Sequence, residues 1–203
     1  MANYLLEKGS AQNGSSIIIT DDEIMAPHLT DWRGNFSGHA SALLMPTDTE
    51  MVSAIMRIAD EENQVIVPQG GNTGLVGGGI PDQSGNTVIL SLQKMNSIIE
   101  FSCENRTITV QAGCILQHIH ELVEQEGLYF PLSLAAKGSC TIGGNLATNA
   151  GGLNVLRYGT MREQCLGLQI VLSDGTILNQ LTPLRKDNTG YDLKNLFIGS
   201  EGT

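Results

Sequence analysis

The chain has 203 residues, of which 41% are hydrophobic and 16% charged, and it carries a net charge of −10. This apolar content is enough to build a folded core and excludes a disordered chain. The acidic charge argues against nucleic acid as a partner, because a surface that follows a phosphate backbone needs clustered lysines and arginines. No stretch approaches the roughly 18 apolar residues of a membrane-spanning helix, so no transmembrane segment is expected.

A first helix is predicted just after Pro46. There Thr47, followed by Glu50, matches a capping box. An apolar stripe then recurs at helical spacing, and the helix is expected to end near Glu62. The stripe consists of Val52, Ile55, Ile58 and Ala59.

Two short apolar runs, at residues 65–67 and 87–92, predict buried strands on either side of a glycine-rich loop. The first strand is expected to stop at Pro68. Because the helix alternates with these runs, residues 45–100 are expected to form a small parallel β/α lobe.

The pattern changes after residue 100. Residues 106–112 alternate strictly between apolar and polar side chains, as in a half-exposed antiparallel strand. Residues 115–126 predict an amphipathic helix that Gly127 closes. Asp174 and Gly175 predict the turn of a hairpin. We therefore expect an α+β fold with two lobes, a small parallel β/α lobe followed by a larger, mainly antiparallel sheet flanked by helices.

The first candidate ligand site is the glycine loop that follows the strand in QVIVPQGGNTGLVGGG, residues 64–79. Its glycines can turn successive backbone N–H groups towards one phosphate or pyrophosphate. A mobile linker or a set of tight turns would use the same residue type, and glycine content leaves both interpretations open. The glycines are Gly70, Gly71, Gly74, Gly77, Gly78 and Gly79.

The second candidate is SCTIGGNLATNAGG at residues 139–152. Its small residues would let a planar ring lie on the backbone, while Thr141, Asn145, Thr148 and Asn149 offer hydrogen bonds that orient it. Close packing of a short helix against a sheet would also require small residues. Neither candidate has the glycine spacing of a Rossmann fingerprint or the Gly-Lys-Ser/Thr of a P-loop.

The histidines do not indicate a metal site. His118 and His120 would share a face in a strand, but in the predicted helix they lie about 200° apart and cannot hold one metal ion. His28 and His39 are expected to lie alone in loops. The chain also has no G-x-S-x-G elbow and no H-E-x-x-H pair, so no catalytic residue and no metal ligand is expected within it.

Two features bear on location. The N-terminal residues MANYLLEKGS lack a basic region before an apolar core, and no leader rich in arginine and serine is seen, so neither a secretory signal nor a transit peptide is expected. The cysteines include no Cys-x-x-Cys pair and predict free, mostly buried thiols in a reducing compartment. Together they predict a cytoplasmic protein. The cysteines are Cys103, Cys114, Cys140 and Cys165.

Three long blocks carry a resemblance to a known family: PQGGNTGLVGGG, FPLSLAAKGSCTIGGNLATNAGGLNVLRYGTMREQCLGLQIVLSDG and LRKDNTGYDLKNLFIGSEGT. They resemble successive motifs of the FAD-linked oxidoreductases with the vanillyl-alcohol-oxidase (PCMH) type of FAD-binding domain. Within that superfamily they are most similar to the D-2-hydroxyglutarate dehydrogenase and D-lactate dehydrogenase branch. The similarity runs from about Leu29 to Thr203.

The resemblance implies a residue set for FAD. Gly70, Gly71, Asn72, Thr73 and Gly74 would wrap the pyrophosphate. Ile170 would face the adenosine end, and Gly202 would close the site. Because Asn72 and Thr73 occupy the region where some members attach flavin through a histidine, the resemblance implies a non-covalent cofactor. The flavin and ribityl chain would be lined by Pro131, Leu132, Gly138, Ser139, Thr141, Gly143, Gly144, Asn145, Thr148, Asn149, Gly151 and Tyr158.

The resemblance also implies the domain organisation and the reaction. An N-terminal segment (1–40) would precede the FAD-binding domain (41–203), with lobes at 41–100 and 101–203. The cap domain, the catalytic base and any divalent-metal ligands of this branch would lie beyond Thr203, so the chain is expected to be an N-terminal fragment.

The implied activity is oxidation of a D-2-hydroxy acid, such as D-2-hydroxyglutarate or D-lactate, to the 2-oxo acid, with hydride passing to FAD. Electrons would leave to an electron-transfer flavoprotein or a quinone, and the oligomeric state is left open. Alternatives are an FAD subunit of the glycolate oxidase type, a flavin-binding module without turnover, and a glycine-rich scaffold without a ligand.

Overall fold

The computed structural model describes residues 17–203, and the expectations for the leader residues 1–10 lie outside that range. The described chain divides into two compact units. The first contains the residues up to Met95 together with Val171–Leu178, and the second contains Asn96–Ile170 and Asn179–Thr203.

The first unit is built on a four-stranded sheet with the order β1-β2-β4-β3. Strand β4 is parallel to both of its neighbours, as predicted for this lobe, and β1 adds an antiparallel edge. The strands are β1 (Ile18–Ile19), β2 (Ala40–Leu44), β3 (Ile66–Gln69) and β4 (Thr87–Ser91).

Helix α2 (Thr49–Glu61) connects β2 to β3, and its start differs from the prediction by one residue. The N-cap is Asp48, whose carboxylate accepts a hydrogen bond from the backbone N–H of Met51 at 2.8 Å. A capping box at Thr47 and Glu50 is therefore wrong. Asp48 has the extended backbone that an N-cap requires, so its side chain can reach that amide.

Apolar side chains cover both faces of the sheet. Leu44 and Leu90 pack with Ile55 of α2 on one face. Leu43 and Ile89 pack on the other face. Successive strand residues point to opposite faces, so a strand that is buried on both sides carries consecutive apolar residues, as at Leu43–Leu44 and Ile89–Leu90. Helix α1 (Asp22–Met25) and a 3₁₀ helix (Ala26–His28) precede β2, and Met25 joins the second face.

Strand β3 continues through Pro68 to Gln69, one residue beyond the proline that was expected to end it. Strand β3 lies at the edge of the sheet, so one of its sides has no partner strand in the described chain. A proline on that open side costs the sheet no hydrogen bond, because no strand is there to accept one.

The second unit has its core around helix α3 (Leu116–Gln125), close to the prediction of 115–126. Its buried residues include Leu116, Ile119 and Val123, which pack with Cys114. Further short helices are α4 (Ile142–Ala147), α5 (Val155–Tyr158), α6 (Met161–Gln164) and α7 (Lys194–Phe197).

The strands that follow the first sheet form two pairs. Strand β5 (Ile98–Ser102) runs antiparallel to β6 (Thr107–Val110), and β7 (Leu168–Val171) pairs with β8 (Ile177–Gln180). The antiparallel arrangement was predicted, but in the described chain it takes the form of two-stranded pairs instead of one larger sheet. Each pair joins strands that are consecutive in the chain.

The hairpin turn is the one predicted from its Asp-Gly sequence, with Gly175 at φ +82°. Its tip belongs to the first unit, where the Ser53 hydroxyl donates a hydrogen bond to the Gly175 carbonyl at 2.6 Å. Over residues 17–203, every helix is too short or too polar to cross a membrane.

Candidate functional site

The first glycine segment forms a loop that leaves the carboxyl end of β3. Its left-handed turn is made by Asn72, at φ +51°, and not by the neighbouring glycines. The Asn72 side-chain amide donates hydrogen bonds to the carbonyls of Pro27 at 3.2 Å and Thr30 at 2.9 Å. These bonds offset the strain of a non-glycine residue in this conformation and fix the loop to the segment before β2.

Residues 71–74 keep their backbone N–H groups available. No described residue accepts a hydrogen bond from any of these amides. A Cβ added at Gly74 would find no protein atom within 4 Å. Unpaired amides next to open space are the features that a bound phosphate or pyrophosphate requires, so this loop fits such a group.

Gln69, the last residue of β3, connects the two ends of the loop. Its side chain is buried, with the residue only 3% exposed. Its side-chain nitrogen donates to the carbonyls of Gly79 at 2.7 Å and His28 at 3.0 Å. Its side-chain oxygen lies 2.5 Å from Nδ1 of His28. Gln93 adds a further tie, donating to the Gly70 carbonyl at 3.0 Å.

These anchoring residues were not predicted. The prediction that His28 lies alone in a loop is wrong, because it lies in the 3₁₀ helix and contacts Gln69. One signal was present in the sequence: a glutamine ends an otherwise apolar buried strand. A buried amide needs partners, but the sequence does not show that the partner is 41 residues earlier.

Not every glycine of the first segment faces open space. Gly77 has φ +75°, and a Cβ there would lie 2.7 Å from the ring of Phe36. This glycine is required by the turn and by packing, which is the structural role that glycine content alone had left open.

The second segment contains helix α4 and the turn after it. The amides at the start of α4 are already used by the protein: Ile142 donates to the Cys114 carbonyl and Gly143 to the Ala112 carbonyl, each at 2.8 Å. Gly144 donates to the Thr141 hydroxyl at 3.3 Å. The first turn of α4 therefore offers no set of free donors.

Free amides in this segment flank the helix. The backbone N–H groups of Gly138, Gly151 and Gly152 donate to no residue in the described part of the chain. Gly138 and Gly152 are also exposed. If this segment binds a ligand through its backbone, the contacts are expected from the residues just before or just after α4 in the chain, and not from the first turn of the helix.

Two glycines of the segment are explained by close packing. A Cβ on Gly143 would lie 2.7 Å from the Cβ of Ala112, and a Cβ on Gly152 would lie 2.1 Å from the Ser133 carbonyl oxygen. At these positions the alternative interpretation of the segment, a short helix packed closely on its neighbours, accounts for the small residues.

The four side chains of the segment that were predicted to orient a ring all have partners within the protein. Thr141 caps α4, and the Thr148 hydroxyl donates to the Gly144 carbonyl at 2.9 Å. Asn149, at φ +47°, accepts a hydrogen bond from the backbone N–H of Arg162 at 3.0 Å. The remaining one, Asn145, is 4% exposed.

Asn145 points into the protein interior. Its side-chain nitrogen lies 3.6 Å from the sulfur of Cys140, which is also buried. Burial raises the pKa of the Cys140 thiol, and it raises the pKa of Cys114 in the same core. Both therefore stay protonated at neutral pH and belong to the core.

The other predicted residues are distributed over the second unit. Leu132 is buried in its core, and the Pro131 carbonyl accepts a hydrogen bond from the Asn154 side chain at 3.0 Å. Tyr158 is 39% exposed and meets the Tyr129 ring edge-on at 6.1 Å. The remaining ones are Ser139, which is exposed before α4, Ile170 on β7, and Gly202, which has φ +86°.

A cleft of about 370 Å³ also lies in the second unit. Arg162, Arg185 and Lys194 contribute cationic groups to its lining. No residue of the predicted cofactor set lines it, so the candidate site is a different part of the surface. Arg162 uses its guanidinium to hold the Asn195 and Ile198 carbonyls.

A family model described as an FAD binding domain matches residues 40–180. Among curated relatives, D-2-hydroxyglutarate dehydrogenase of Bos taurus is 53% identical over 92% of this chain and 34% of its own length. The enzyme of the same name from Danio rerio is 51% identical over 91% of this chain and 34% of its own length. The chain thus spans about a third of the length of these relatives.

A solved structure of alkyldihydroxyacetonephosphate synthase covers 98% of this chain with a TM-score of 0.83, while the chain covers 38% of that protein. At 21% identity this similarity concerns the fold alone, and it confirms the predicted α+β fold class. The expected cytoplasmic location is wrong: the relatives from Bos taurus and Danio rerio are both named as mitochondrial. Free thiols indicate a reducing compartment, and the cytoplasm is only one such compartment.

Proposed function

The chain belongs to the family of FAD-binding domains, and from that premise we propose that it is the FAD-binding part of a D-2-hydroxy acid dehydrogenase. The observation that carries the proposal is the loop at residues 71–74, whose four amides have no acceptor in the described chain. The substrate class follows from the relatives that are about half identical to the chain and are named D-2-hydroxyglutarate dehydrogenases.

The proposed cofactor contacts are those predicted from the sequence. The loop from Gly70 to Gly74 binds the diphosphate through its backbone. In the second unit, the proposed contacts with an exposed surface are Gly138, Ser139, Thr148, Tyr158 and Gly202. Leu132, Thr141 and Asn145 have buried side chains, so they contribute to the proposed site through backbone atoms or by holding α4 in place. The other proposed contacts, which are half-buried, are Pro131, Gly143, Gly144, Asn149, Gly151 and Ile170.

When bound, FAD supplies the redox chemistry, which is acceptance of a hydride from the carbon that bears the substrate hydroxyl. The residues of this chain hold the cofactor and fix its orientation. Asn72 and Thr73 offer no histidine for covalent attachment, so binding is proposed to be non-covalent.

The remaining elements of the proposal concern the whole protein. Residues 1–40 form an N-terminal segment and 41–203 the FAD-binding domain, with lobes at 41–100 and 101–203. The substrate cap, the catalytic base and any divalent-metal ligands lie beyond Thr203. Electrons pass to an electron-transfer flavoprotein or a quinone, and the location is mitochondrial, as in the names of the relatives.

The test of cofactor binding is the visible absorption of the purified chain after reconstitution with excess FAD. Flavin bands are expected to remain with the protein through gel filtration. On acid precipitation the yellow colour is expected in the supernatant, because no covalent bond retains it. A protein that stays colourless would overturn the proposed function, and colour in the pellet would overturn non-covalent binding.

Turnover separates an enzyme part from a binding module. The chain and the full-length Bos taurus relative would be compared with a dye acceptor and D-2-hydroxyglutarate, D-lactate and glycolate as substrates. The relative is expected to reduce the dye, and the chain alone to bind FAD without turnover. Turnover by the chain alone would contradict the placement of the catalytic groups beyond Thr203.

A further inference from the structure

We propose that residues 26–30, here called the brace, position the glycine loop for the diphosphate of FAD, with His28 and Gln69 as positioning residues. This inference rests on the proposed function, because it assumes that the loop binds the cofactor. It assigns a role to a segment in which neither the sequence motifs nor the family resemblance placed any cofactor residue.

The first connection between the brace and the loop is made by Gln69. Its amide nitrogen can only donate, and both of its acceptors are backbone carbonyls, those of Gly79 and His28. Its oxygen can only accept, so the 2.5 Å contact with Nδ1 of His28 requires a proton on Nδ1. One buried side chain thereby joins the start of the loop, its end and the brace.

The second connection is made by Asn72 within the loop. It donates to the carbonyls of Pro27 and Thr30 at the two ends of the brace. Asn72 lies among the residues with free amides, and its own φ of +51° sets the direction in which the chain turns there. The brace therefore contacts the loop both at its base and at the turn that presents the amides.

These connections matter because the amides of residues 71–74 have no other acceptor in the described chain to hold their direction. A loop of this glycine content samples many backbone conformations when it is free, and ordering it on binding would lower the affinity. Side-chain ties that order the loop before the cofactor arrives reduce this cost.

The test compares FAD affinity, measured by quenching of flavin fluorescence, among four variants. Gln69→Leu removes three hydrogen bonds and is expected to weaken FAD binding by roughly tenfold or more. Gln64→Leu is the matched control, since the Gln64 amide donates to the backbone carbonyls of Val65 and Asn86, away from the loop. Its FAD affinity is expected to equal that of the wild type.

The histidine pair separates positioning from general stability. Asparagine places an amide N–H near the position of Nδ1, whereas glutamine places it near Nε2. His28→Asn is therefore expected to keep FAD affinity close to that of the wild type, and His28→Gln to weaken it several-fold. His28 is only partly buried, so both variants are expected to fold even if Gln69→Leu does not.

The outcomes are distinct. If the wild-type chain binds no FAD, the proposed function fails and the brace with it. If the wild type binds FAD and His28→Gln binds equally well, the brace is overturned while the proposed function stands. Equal weakening in Gln69→Leu and Gln64→Leu would also overturn it, because the effect would then be one of overall stability. Weakening in Gln69→Leu and His28→Gln, with wild-type affinity in His28→Asn and Gln64→Leu, supports it.

Discussion

Individual glycines in the first segment serve different purposes, although the sequence presents them as one group. A Cβ added at Gly74 would meet no protein atom within 4 Å, and this residue does not use a left-handed backbone. Gly77 uses both properties of glycine, a positive φ and close contact with Phe36. The fold itself therefore requires glycine at position 77. At position 74 the fold would accept a side chain, and only a bound ligand would require glycine there.

This difference gives a residue-scale prediction. Gly74→Val is expected to leave the free energy of unfolding within about 0.5 kcal/mol of the wild type, because the new side chain enters open space. If the diphosphate binds at residues 71–74, the same variant is expected to lose most of its FAD affinity. Urea denaturation of the FAD-free chain and a flavin titration check the two halves.

Gly77→Ala is the matched control. It is expected to lower the free energy of unfolding by about 1–2 kcal/mol or more, since alanine must adopt a left-handed backbone and its methyl group meets Phe36. A Gly74→Val variant that binds FAD normally would show that the cofactor does not approach the loop at this point.

The sequence predicted which residues form the loop but not what holds it. Glycine spacing after an apolar strand was a sufficient signal for the turn, because those residue types have local conformational consequences. Gln69 and Asn72 depend on partners 41 to 45 residues away, and local patterns contain no information on such contacts. Asn72 also replaced glycine as the left-handed residue, as asparagine can.

At the scale of elements, helices α2 and α3 were predicted nearly to the residue. Each has an apolar stripe that repeats at helical spacing over several turns, which distinguishes a helix from a strand. Strand β5 was not predicted, because its residues do not alternate between apolar and polar. Its first three residues, Ile98, Ile99 and Glu100, are all exposed, so no buried face required such a pattern. Strand β3 was predicted to stop at Pro68 but extends to Gln69. A proline is tolerated in an edge strand but not in a central one, and the sequence does not show which strand lies at the edge.

The end of α3 provides an element-scale prediction. Gly127 follows the last turn at φ +67°, and a Cβ added there would meet no atom within 4 Å. Gly127→Ala is therefore expected to lower the free energy of unfolding by about 1 kcal/mol through backbone strain alone.

Gly190→Ala is its control, because Gly190 is equally open but has no left-handed backbone. Alanine there is expected to be neutral or slightly stabilising. The midpoints and slopes of urea denaturation curves measure both changes. Equal stability of the two variants would mean that Gly127 does not close the helix.

For the whole molecule, the family was evident from long sequence blocks, while the location was not. Packing alone explains several residues of the block TIGGNLATNAGG: Gly143 and Gly152 leave no room for a side chain, and Asn145 is buried against Cys140. A match to such a block is therefore a secure sign of the fold. It is a weaker guide to which atoms would touch a cofactor, since the fold needs the same residues without one.

The last prediction tests, for each unit by itself, whether its predicted residues contact FAD. Hydrogen exchange of the chain would be followed with FAD at about 100 times its dissociation constant, a level that stabilises the bound form by about 2.7 kcal/mol. At this FAD concentration, the free amides of residues 71–74 in the first unit, and of Gly138, Gly151 and Gly152 in the second, are expected to become protected. The exposed hairpin turn at Ser173 and Asp174, outside the proposed site, is the internal control and should exchange at an unchanged rate. Protection in only one unit would restrict the site to that unit and remove the residues of the other from the proposed set.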